Sequence, residues 1–273
     1  MDTNLKKIKI FDTNFSHSKY STDYQTSEFI EWYRDQNLEF KEITFFTDNF
    51  LNMNVGDVEN KIGWLIEPPS IKSEMYDTIT TTCNNFKTVL TYSRDLLERG
   101  GNFEFYPHGG CWIPKESQKI YGKNKMVSMI ASNKNETYGH KLRHEIASKF
   151  NDKINLYGRG YKPIELKTEG LIDYRFSIVI ENIKMDYYFT EKIIDCFMTG
   201  TIPIYYGCPS IEKFFDINGI MTFDTVDELE NILYNLTEKD YNEKYESIKN
   251  NFEKAKEFLI SEDWIYKNTK IFK

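Results

Sequence analysis

The sequence predicts an α/β protein of two domains, each built around a parallel sheet. Short runs of β-branched and aromatic residues alternate with helical patterns along most of the chain. The alternation pauses in a polar, charged segment at 115–125 and then starts again. The length of 273 residues also fits two domains of roughly 150 residues each. We therefore expect two Rossmann-like halves, residues 1–120 and 121–273.

The hydrophobic pattern assigns the elements of the first half. Phe29, Ile30 and Tyr33 would share one face of an amphipathic helix at 26–35. The predicted strands of this half are 7–11, 40–46, 61–66, 88–92 and 103–106. These runs are short and rich in β-branched or aromatic residues, which is typical of strands.

The second half repeats the same alternation. Its predicted strands are 126–131, 154–157, 174–180 and 202–206, with helices at 139–150 and 190–199 and a mostly helical tail at 226–259. The helix at 190–199 has clear end signals, because Thr190 is a favourable N-cap and Gly200 with Pro203 stops the helix.

The charge balance limits the ligands that the chain can bind. Lys and Arg number 35 against 42 Asp and Glu, a net charge of −7, and 40% of the residues are hydrophobic. This composition argues against disorder. It also argues against nucleic acid as a partner, because sequence-independent binding needs many basic residues. An anionic ligand would therefore need a local positive site.

Cysteine spacing and hydropathy indicate the compartment. The four cysteines are far apart, with no C-x-x-C pair, so we interpret them as reduced thiols without a metal or disulfide. The first residues lack the apolar run of a secretion signal, and no stretch approaches 18 apolar residues. We expect a soluble, cytoplasmic protein without a transmembrane segment, and peripheral contact with a membrane is left open.

The helix start near 190 suits an anionic ligand. Free N–H groups at a helix N-terminus attract negative charge, and Lys192 in the first turn adds to this attraction. Glu191 beside it is suited to accept hydrogen bonds from sugar hydroxyls. The plain alternative is that Glu191 only complements the helix dipole and that Lys192 is solvated.

The surrounding pattern resembles the donor-binding segment of the α-1,3-fucosyltransferases, glycosyltransferase family 10. Glu181-Asn182 ends a strand, Tyr188 follows in a short loop, Thr190-Glu191-Lys192 opens a helix, and the next strand reads Ile202-Pro203-Ile204-Tyr205-Tyr206-Gly207. Ile180 and Tyr206 depart from the family's usual Phe and Trp. The resemblance implies that Lys192 binds the diphosphate and that Asn182, Tyr188 and Glu191 bind the ribose and the sugar.

A second stretch is similar to the family's phosphate-binding segment. Ser132-Asn133-Lys134-Asn135 follows a predicted strand, and Arg143 lies in the next helix. The resemblance implies that Arg143 contacts the diphosphate. Because the loop is longer here than in bacterial members, His140 and Lys141 remain alternatives to Arg143.

A weaker similarity concerns the catalytic base. In the family, a glutamate just after a strand of the N-terminal domain removes a proton from the acceptor hydroxyl. Glu67 stands after the strand 61–66 and before two prolines, so the resemblance implies this role for Glu67. A solvated glutamate in a turn is the alternative, and Asp95 is a rival base.

Other motifs are excluded or ordinary. Gly158-Arg159-Gly160 lacks the third glycine of a dinucleotide-binding motif, and the chain contains no P-loop and no D-x-D pair. The cluster 108–112 could line the acceptor side, but we favour a glycine turn with a buried Trp112. We therefore predict no metal and no tightly bound cofactor. The resemblance implies a GDP-sugar as co-substrate.

The resemblance implies a GT-B fold, two Rossmann-like domains facing across a cleft. The first would be the acceptor side and the second the donor side, with the stretch near Trp264 returning to the first domain. The expected reaction is inverting transfer of a sugar, fucose first, from a GDP donor to a hydroxyl of a glycan. Alternatives are another donor such as GDP-mannose or a uridine-linked sugar, a non-catalytic nucleotide-sugar binding protein, and an interaction module at 228–273.

Overall fold

The computed structural model describes residues 5–34, 43–53 and 60–273. The chain forms two compact units, Met1–Gly110 with Ile260–Lys273 and Cys111–Leu259. The border expected between 120 and 121 therefore falls inside the second unit. Cys111 and Ile113 are fully buried, and the backbone N–H of Trp112 donates to Asp195 within that unit (2.7 Å). The final residues lie with the first unit, as expected for the stretch near Trp264.

The described residues form parallel strands connected largely by helices. The strands are β1 Lys6–Phe11, β2 Ile30–Tyr33, β3 Ile43–Thr47, β4 Asn60–Trp64, β5 Thr88–Thr91, β6 Phe103–Phe105, β7 Lys125–Ile130, β8 Asn155–Tyr157, β9 Tyr174–Ile180, β10 Ile202–Tyr206 and β11 Met221–Thr222. The helices are α1 Pro69–Thr82, α2 Arg94–Glu98, α3 Tyr138–Lys149, α4 Glu191–Phe197, α5 Val226–Asn235, α6 Glu238–Glu243, α7 Tyr245–Ala255 and α8 Ser261–Asn268. Most predicted elements appear within one or two residues of these bounds.

The first unit contains a six-stranded sheet in the order β2-β1-β3-β4-β5-β6, and all neighbouring strands are parallel. Helix α8 packs on this sheet, since the indole of Trp264 contacts the rings of Phe105 and Tyr106 edge-on. The carboxylate of Glu262 is fully buried and accepts a hydrogen bond from Trp32 Nε1 (2.6 Å). These contacts attach the chain's last helix to the core of the first unit.

The predicted helix at 26–35 is wrong. The structure has strand β2 there, paired in parallel with β1, and residue 35 lies outside the described residues. Ile30 and Trp32 are buried while Glu31 and Tyr33 are partly exposed, which is the two-residue period of a strand. The spacing of Phe29 and Tyr33 fitted a helix equally well, so the periodicity was ambiguous. Residues 40–42 of the predicted strand 40–46 also lie outside the described residues.

The second unit contains a five-stranded parallel sheet in the order β11-β10-β9-β7-β8. Strand β9 lies at its centre and is buried along its whole length. The chain moves from β7 outward to β8 and then returns to β9 on the other side of β7. The carboxyl ends of β7 and β9 therefore form a topological switch point, where open α/β sheets bind ligands.

Candidate active site

The start of α3 lies directly against the end of β9. Gly139 makes this approach possible, because a Cβ atom at this position would lie 1.9 Å from the carbonyl oxygen of Glu181. The backbone N–H of Gly139 donates to the carbonyl of Asn182 (3.2 Å). Thr137 caps the helix by accepting from His140 N, and His140 Nδ1 accepts from Thr137 N in return. Asn182, in the loop after β9, and the first turn of α3 are thereby held together.

Arg143 lies one turn further along α3 and is 6% exposed. Its Nε donates to the carbonyl of Ile180 (3.1 Å), and its Nη2 donates to the same carbonyl and to Asn182 Oδ1 (3.0 Å). Among the described residues, no hydrogen bond uses Nη1. Burial lowers the pKa of Arg143, and the carboxylate of Glu181 opposes this shift. An arginine nevertheless stays charged at neutral pH, so Arg143 keeps one donor group for a ligand.

The two alternatives to Arg143 have different surroundings. Lys141 is exposed on α3. Burial, together with the charge of Arg143, lowers the pKa of His140 to about 4, so that its ring is neutral at physiological pH. His140 is therefore occupied in capping the helix and supplies no positive charge there.

The carboxylate of Glu181 connects the end of β9 to the start of α4. Glu181 is fully buried and accepts hydrogen bonds from the backbone N–H and the hydroxyl of Thr190. Lys192 Nζ lies 3.3 Å from Glu181 Oε2 and donates to Thr190 Oγ1 (2.9 Å). Glu181 stands within the matched motif but is not among the predicted donor-binding residues. The structure makes it the residue that fixes Thr190 and Lys192.

Glu191 is held from the other side by a lysine that the sequence did not single out. Lys167 Nζ lies 3.4 Å from Glu191 Oε1 and 2.7 Å from Asp195 Oδ2. Burial alone would lower the pKa of Lys167, but Asp195 and Glu191 raise it above its ordinary value. Lys167 comes from a short turn before β9, so only the folded chain brings it to α4.

The cluster carries no excess of positive charge. Arg143, Lys167 and Lys192 face the carboxylates of Glu181, Glu191 and Asp195. The local positive site expected for an anionic ligand is thus a balanced network of three cations and three carboxylates. Because the contacts of Lys192 to Glu181 and Glu191 are long, 3.3 and 3.5 Å, an anion could compete for this lysine.

Two aromatic residues differ in exposure from what their predicted roles suggest. Tyr188 is 1% exposed, so its ring lies inside the second unit, next to the network rather than on its surface. Trp112, favoured as a buried residue, is 37% exposed, so that interpretation is wrong. Its indole lies under Lys167 Nζ, 5.4 Å from the ring centroid. The backbone of Trp112 is fixed by Asp195, which leaves the ring beside Lys167 and partly open to solvent.

The two candidate bases belong to the first unit. Glu67 follows Ile66 in the loop between β4 and α1 and is half-buried. Asp95 lies in the first turn of α2 and is exposed. Both residues follow strands at the carboxyl edge of the sheet, and Glu67 lies between the buried residues Ile66 and Pro68. No part of the described structure groups three or more His, Cys, Asp or Glu side chains as metal ligands, and no described helix is long and apolar enough to cross a bilayer.

The fold and the cluster define an α/β protein of two parallel sheets with a network of charged side chains at a switch point. Its family follows from comparison with known proteins. The profile described as "Glycosyltransferase family 10 (fucosyltransferase) C-term" matches residues 120–270, more than half of the chain. The chain therefore belongs to glycosyltransferase family 10, which confirms the resemblance seen in the sequence.

Curated relatives match over shorter stretches. The α-(1,3)-fucosyltransferase FucT of Helicobacter pylori is 46% identical over 57 residues, 21% of this chain. A putative fucosyltransferase-like protein of Arabidopsis thaliana is 36% identical over 73 residues, 26% of this chain. These stretches span only 12% and 14% of the lengths of the two relatives.

Solved structures match over almost the whole chain. An α1,3-fucosyltransferase with GDP superposes with a TM-score of 0.57 at 17% identity, covering 99% of this chain and 94% of that one. The same kind of enzyme with GDP-fucose gives a TM-score of 0.56 at 17% identity, covering 98% and 92%. These likenesses confirm the predicted α/β class and its GT-B type.

Proposed function

We propose that this protein transfers a sugar, fucose first, from a GDP donor to a hydroxyl of a glycan, with inversion at the anomeric carbon. The observation that carries the proposal is the meeting of Arg143, Asn182, Glu191 and Lys192 at the carboxyl end of β9. These four residues come from two helices and a loop, and they are four of the five donor-binding residues that the family resemblance names. The fifth, Tyr188, is buried next to them and keeps its proposed role beside the sugar or ribose. A ligand at a switch point of an α/β sheet lies at this edge.

The diphosphate would be bound by Arg143 and Lys192. Arg143 presents Nη1, and Lys192 would exchange its long contacts to Glu181 and Glu191 for a phosphate oxygen. Positive groups fixed in advance help most where charge develops on the departing nucleoside diphosphate. Glu191 would accept hydrogen bonds from ribose or sugar hydroxyls, and Asn182 would hold the same ligand from β9.

Glu67 would act as the general base. The acceptor oxygen attacks the anomeric carbon while its proton passes to the carboxylate of Glu67. The bond between that carbon and the diphosphate oxygen breaks, and GDP leaves with the electron pair. Attack from the face opposite the leaving group inverts the configuration. Fucose is the first choice because relatives carry the name fucosyltransferase and one related structure holds GDP-fucose.

Titration calorimetry with a panel of nucleotide sugars tests the donor. We expect GDP-fucose to bind, GDP to bind through the same diphosphate contacts, and UDP-galactose not to bind. Binding of UDP-galactose without binding of GDP-fucose would indicate a uridine-linked sugar as the donor instead. If none of GDP-fucose, GDP-mannose, UDP-galactose and GDP bound, the proposal that this protein uses a nucleotide sugar would be overturned.

The variant Glu67→Gln tests the base. Glutamine keeps the size of the side chain but cannot accept the proton, so donor binding should persist while sugar transfer to a glycan array is lost. Asp95→Asn is the matched control, since this exposed carboxylate should leave transfer unchanged. If Asp95→Asn abolished transfer and Glu67→Gln did not, Asp95 would be the base.

A further inference from the structure

A buried carboxylate lies behind the loop that carries Glu67. Asp48 follows β3 directly and is 1% exposed. Its oxygens accept hydrogen bonds from Ile66 N (2.9 Å), from Glu67 N (3.1 Å) and from Asn14 Nδ2 (2.8 Å). One side chain therefore connects the loops that follow β1, β3 and β4.

Two tyrosines hold the same peptide groups from their carbonyl side. Tyr76 donates its hydroxyl hydrogen to the carbonyl of Glu67 (3.0 Å), and Tyr92 donates to the carbonyl of Ile66 (2.9 Å). Both N–H groups and both carbonyls of these successive residues thus have side-chain partners. The backbone of Glu67 is thus fixed from both sides, while the residue as a whole is half-buried.

The backbone at Asp48 is strained. Its φ angle is +30°, in the left-handed region that residues with a side chain seldom adopt. Burial also raises the pKa of Asp48 above its ordinary value, while the hydrogen bonds from Ile66, Asn14 and Glu67 favour the charged form. Strain and a buried charge both reduce stability, and they are retained where the surroundings require a defined geometry.

The position in the sheet agrees with a functional use. The chain moves from β1 outward to β2 and returns to β3 on the other side of β1, so β1 and β3 form the switch point of the first sheet. Asn14 and Asp48 follow these two strands, and Glu67 follows β4 at the same carboxyl edge.

We infer that Asp48 is a positioning residue for Glu67: its carboxylate fixes the two successive N–H groups of the loop and so orients the base. This inference rests on the proposed function, in which Glu67 accepts the proton. Asp48 itself touches neither donor nor acceptor in this account. A change at Asp48 should therefore affect turnover only while Glu67 is present.

A double-mutant cycle tests this dependence. The wild type, Asp48→Asn, Glu67→Gln and the double variant are compared by the rate at which they release GDP from GDP-fucose with water as the acceptor. In this step the water oxygen attacks the anomeric carbon, its proton passes to Glu67, and the bond to the diphosphate breaks. Asparagine suits the left-handed backbone. However, Ile66 N and Glu67 N donate to different oxygens of Asp48, and asparagine replaces one of these oxygens with an NH2 group that cannot accept.

We expect Asp48→Asn to reduce kcat about 10- to 100-fold, as small displacements of a catalytic group do. The KM for GDP-fucose should not change. In the Glu67→Gln background, Asp48→Asn should have no further effect on the rate. Full turnover by Asp48→Asn, or an equal loss with and without Glu67, would overturn the inference. If the wild type released no GDP either with water or with a glycan acceptor, the proposed function would be overturned, and this inference with it.

One milder variant and its control keep the test valid if Asp48→Asn folds poorly. Tyr76→Phe removes the hydroxyl that donates to the carbonyl of Glu67 and also bonds with Tyr92. It should lower kcat by a smaller factor than Asp48→Asn, again only when Glu67 is present. Asn102→Ala is the matched control, because Asn102 Nδ2 donates to the carbonyls of Cys83 and Phe86 in the same unit. It should reduce stability without changing kcat. Loss of kcat in Asn102→Ala equal to that in Tyr76→Phe would show a general structural effect and overturn the inference.

Discussion

Replacing Gly139 by alanine should separate α3 from the end of β9. The new Cβ would lie 1.9 Å from the carbonyl oxygen of Glu181 and 2.9 Å from the Cα of Asn182. Real contacts of a Cβ are rarely shorter than about 3 Å, so the helix or the strand end must move by about 1 Å. Both neighbours are backbone atoms, which cannot rotate out of the way.

The free-energy terms have opposite signs, and their sizes decide the outcome. Alanine in a helix is favoured over glycine by about 0.5–1 kcal/mol. Overpacking costs about 1–3 kcal/mol, and loss of the hydrogen bond from Gly139 N to Asn182 O costs about 1 kcal/mol. The net result is destabilisation by about 1–3 kcal/mol. At about 2–4 °C per kcal/mol, the Tm should fall by about 2–12 °C.

The assay is thermal unfolding together with calorimetric binding of GDP. Arg143 lies one turn after Gly139, so the same displacement should weaken GDP binding. The matched control is Gly122→Ala, since a Cβ at Gly122 would meet no atom within 4 Å. We expect this control to keep the Tm and GDP affinity of the wild type. Equal Tm and equal GDP affinity for the two variants would refute the close approach of α3 to β9.

Two further predictions concern charged groups. Folding lowers the pKa of His140 from 6.5 to about 4. Between these pH values the unfolded chain binds a proton at His140 and the folded protein does not, so stability is lost as the pH falls from 6.5 to 4. The loss in the free energy of unfolding should be about 1–2 kcal/mol after allowance for solvent screening. It should be smaller in His140→Gln, because glutamine keeps a hydrogen-bond acceptor for the cap but does not titrate. Equal dependence of stability on pH in the wild type and this variant, measured by chemical denaturation, would contradict the role of His140. Lys167→Met should destabilise by about 2 kcal/mol or more, because it leaves the buried carboxylate of Asp195 without its cation. Lys125→Met, which breaks an exposed pair with Asp173, should cost less than about 1 kcal/mol, and equal losses in denaturation would contradict the difference.

The parts of the fold and site that the sequence predicts are those with local signals. Strand β9 was predicted with its observed bounds, because seven successive residues are buried on both faces. Thr190, Glu191 and Lys192 are consecutive, so the start of α4 brings them together without long-range information. The strand at Ile30–Tyr33 is predicted wrongly as part of a helix, because the apolar residues of so short a run fit both the helical and the strand period.

The residues that the sequence did not reveal act over long separations. Lys167 reaches Glu191 from a turn that precedes β9, and Asp48, directly after β3, reaches the loop after the neighbouring strand β4 that carries Glu67. Neither residue stands in a motif, and a lysine or an aspartate in a loop is ordinarily expected to be solvated. Their partners become visible only when the sheet order is known. The balance of charge in the cluster was missed for the same reason.

A crystal structure of the protein with GDP tests the central claim most directly. The account predicts a diphosphate within hydrogen-bond distance of Arg143 and Lys192, and a ribose whose hydroxyls meet Glu191. It also predicts that Lys192 has lengthened its contact to Glu181, now 3.3 Å. GDP bound elsewhere, or no GDP at the carboxyl end of β9 at saturating concentration, would contradict the proposal.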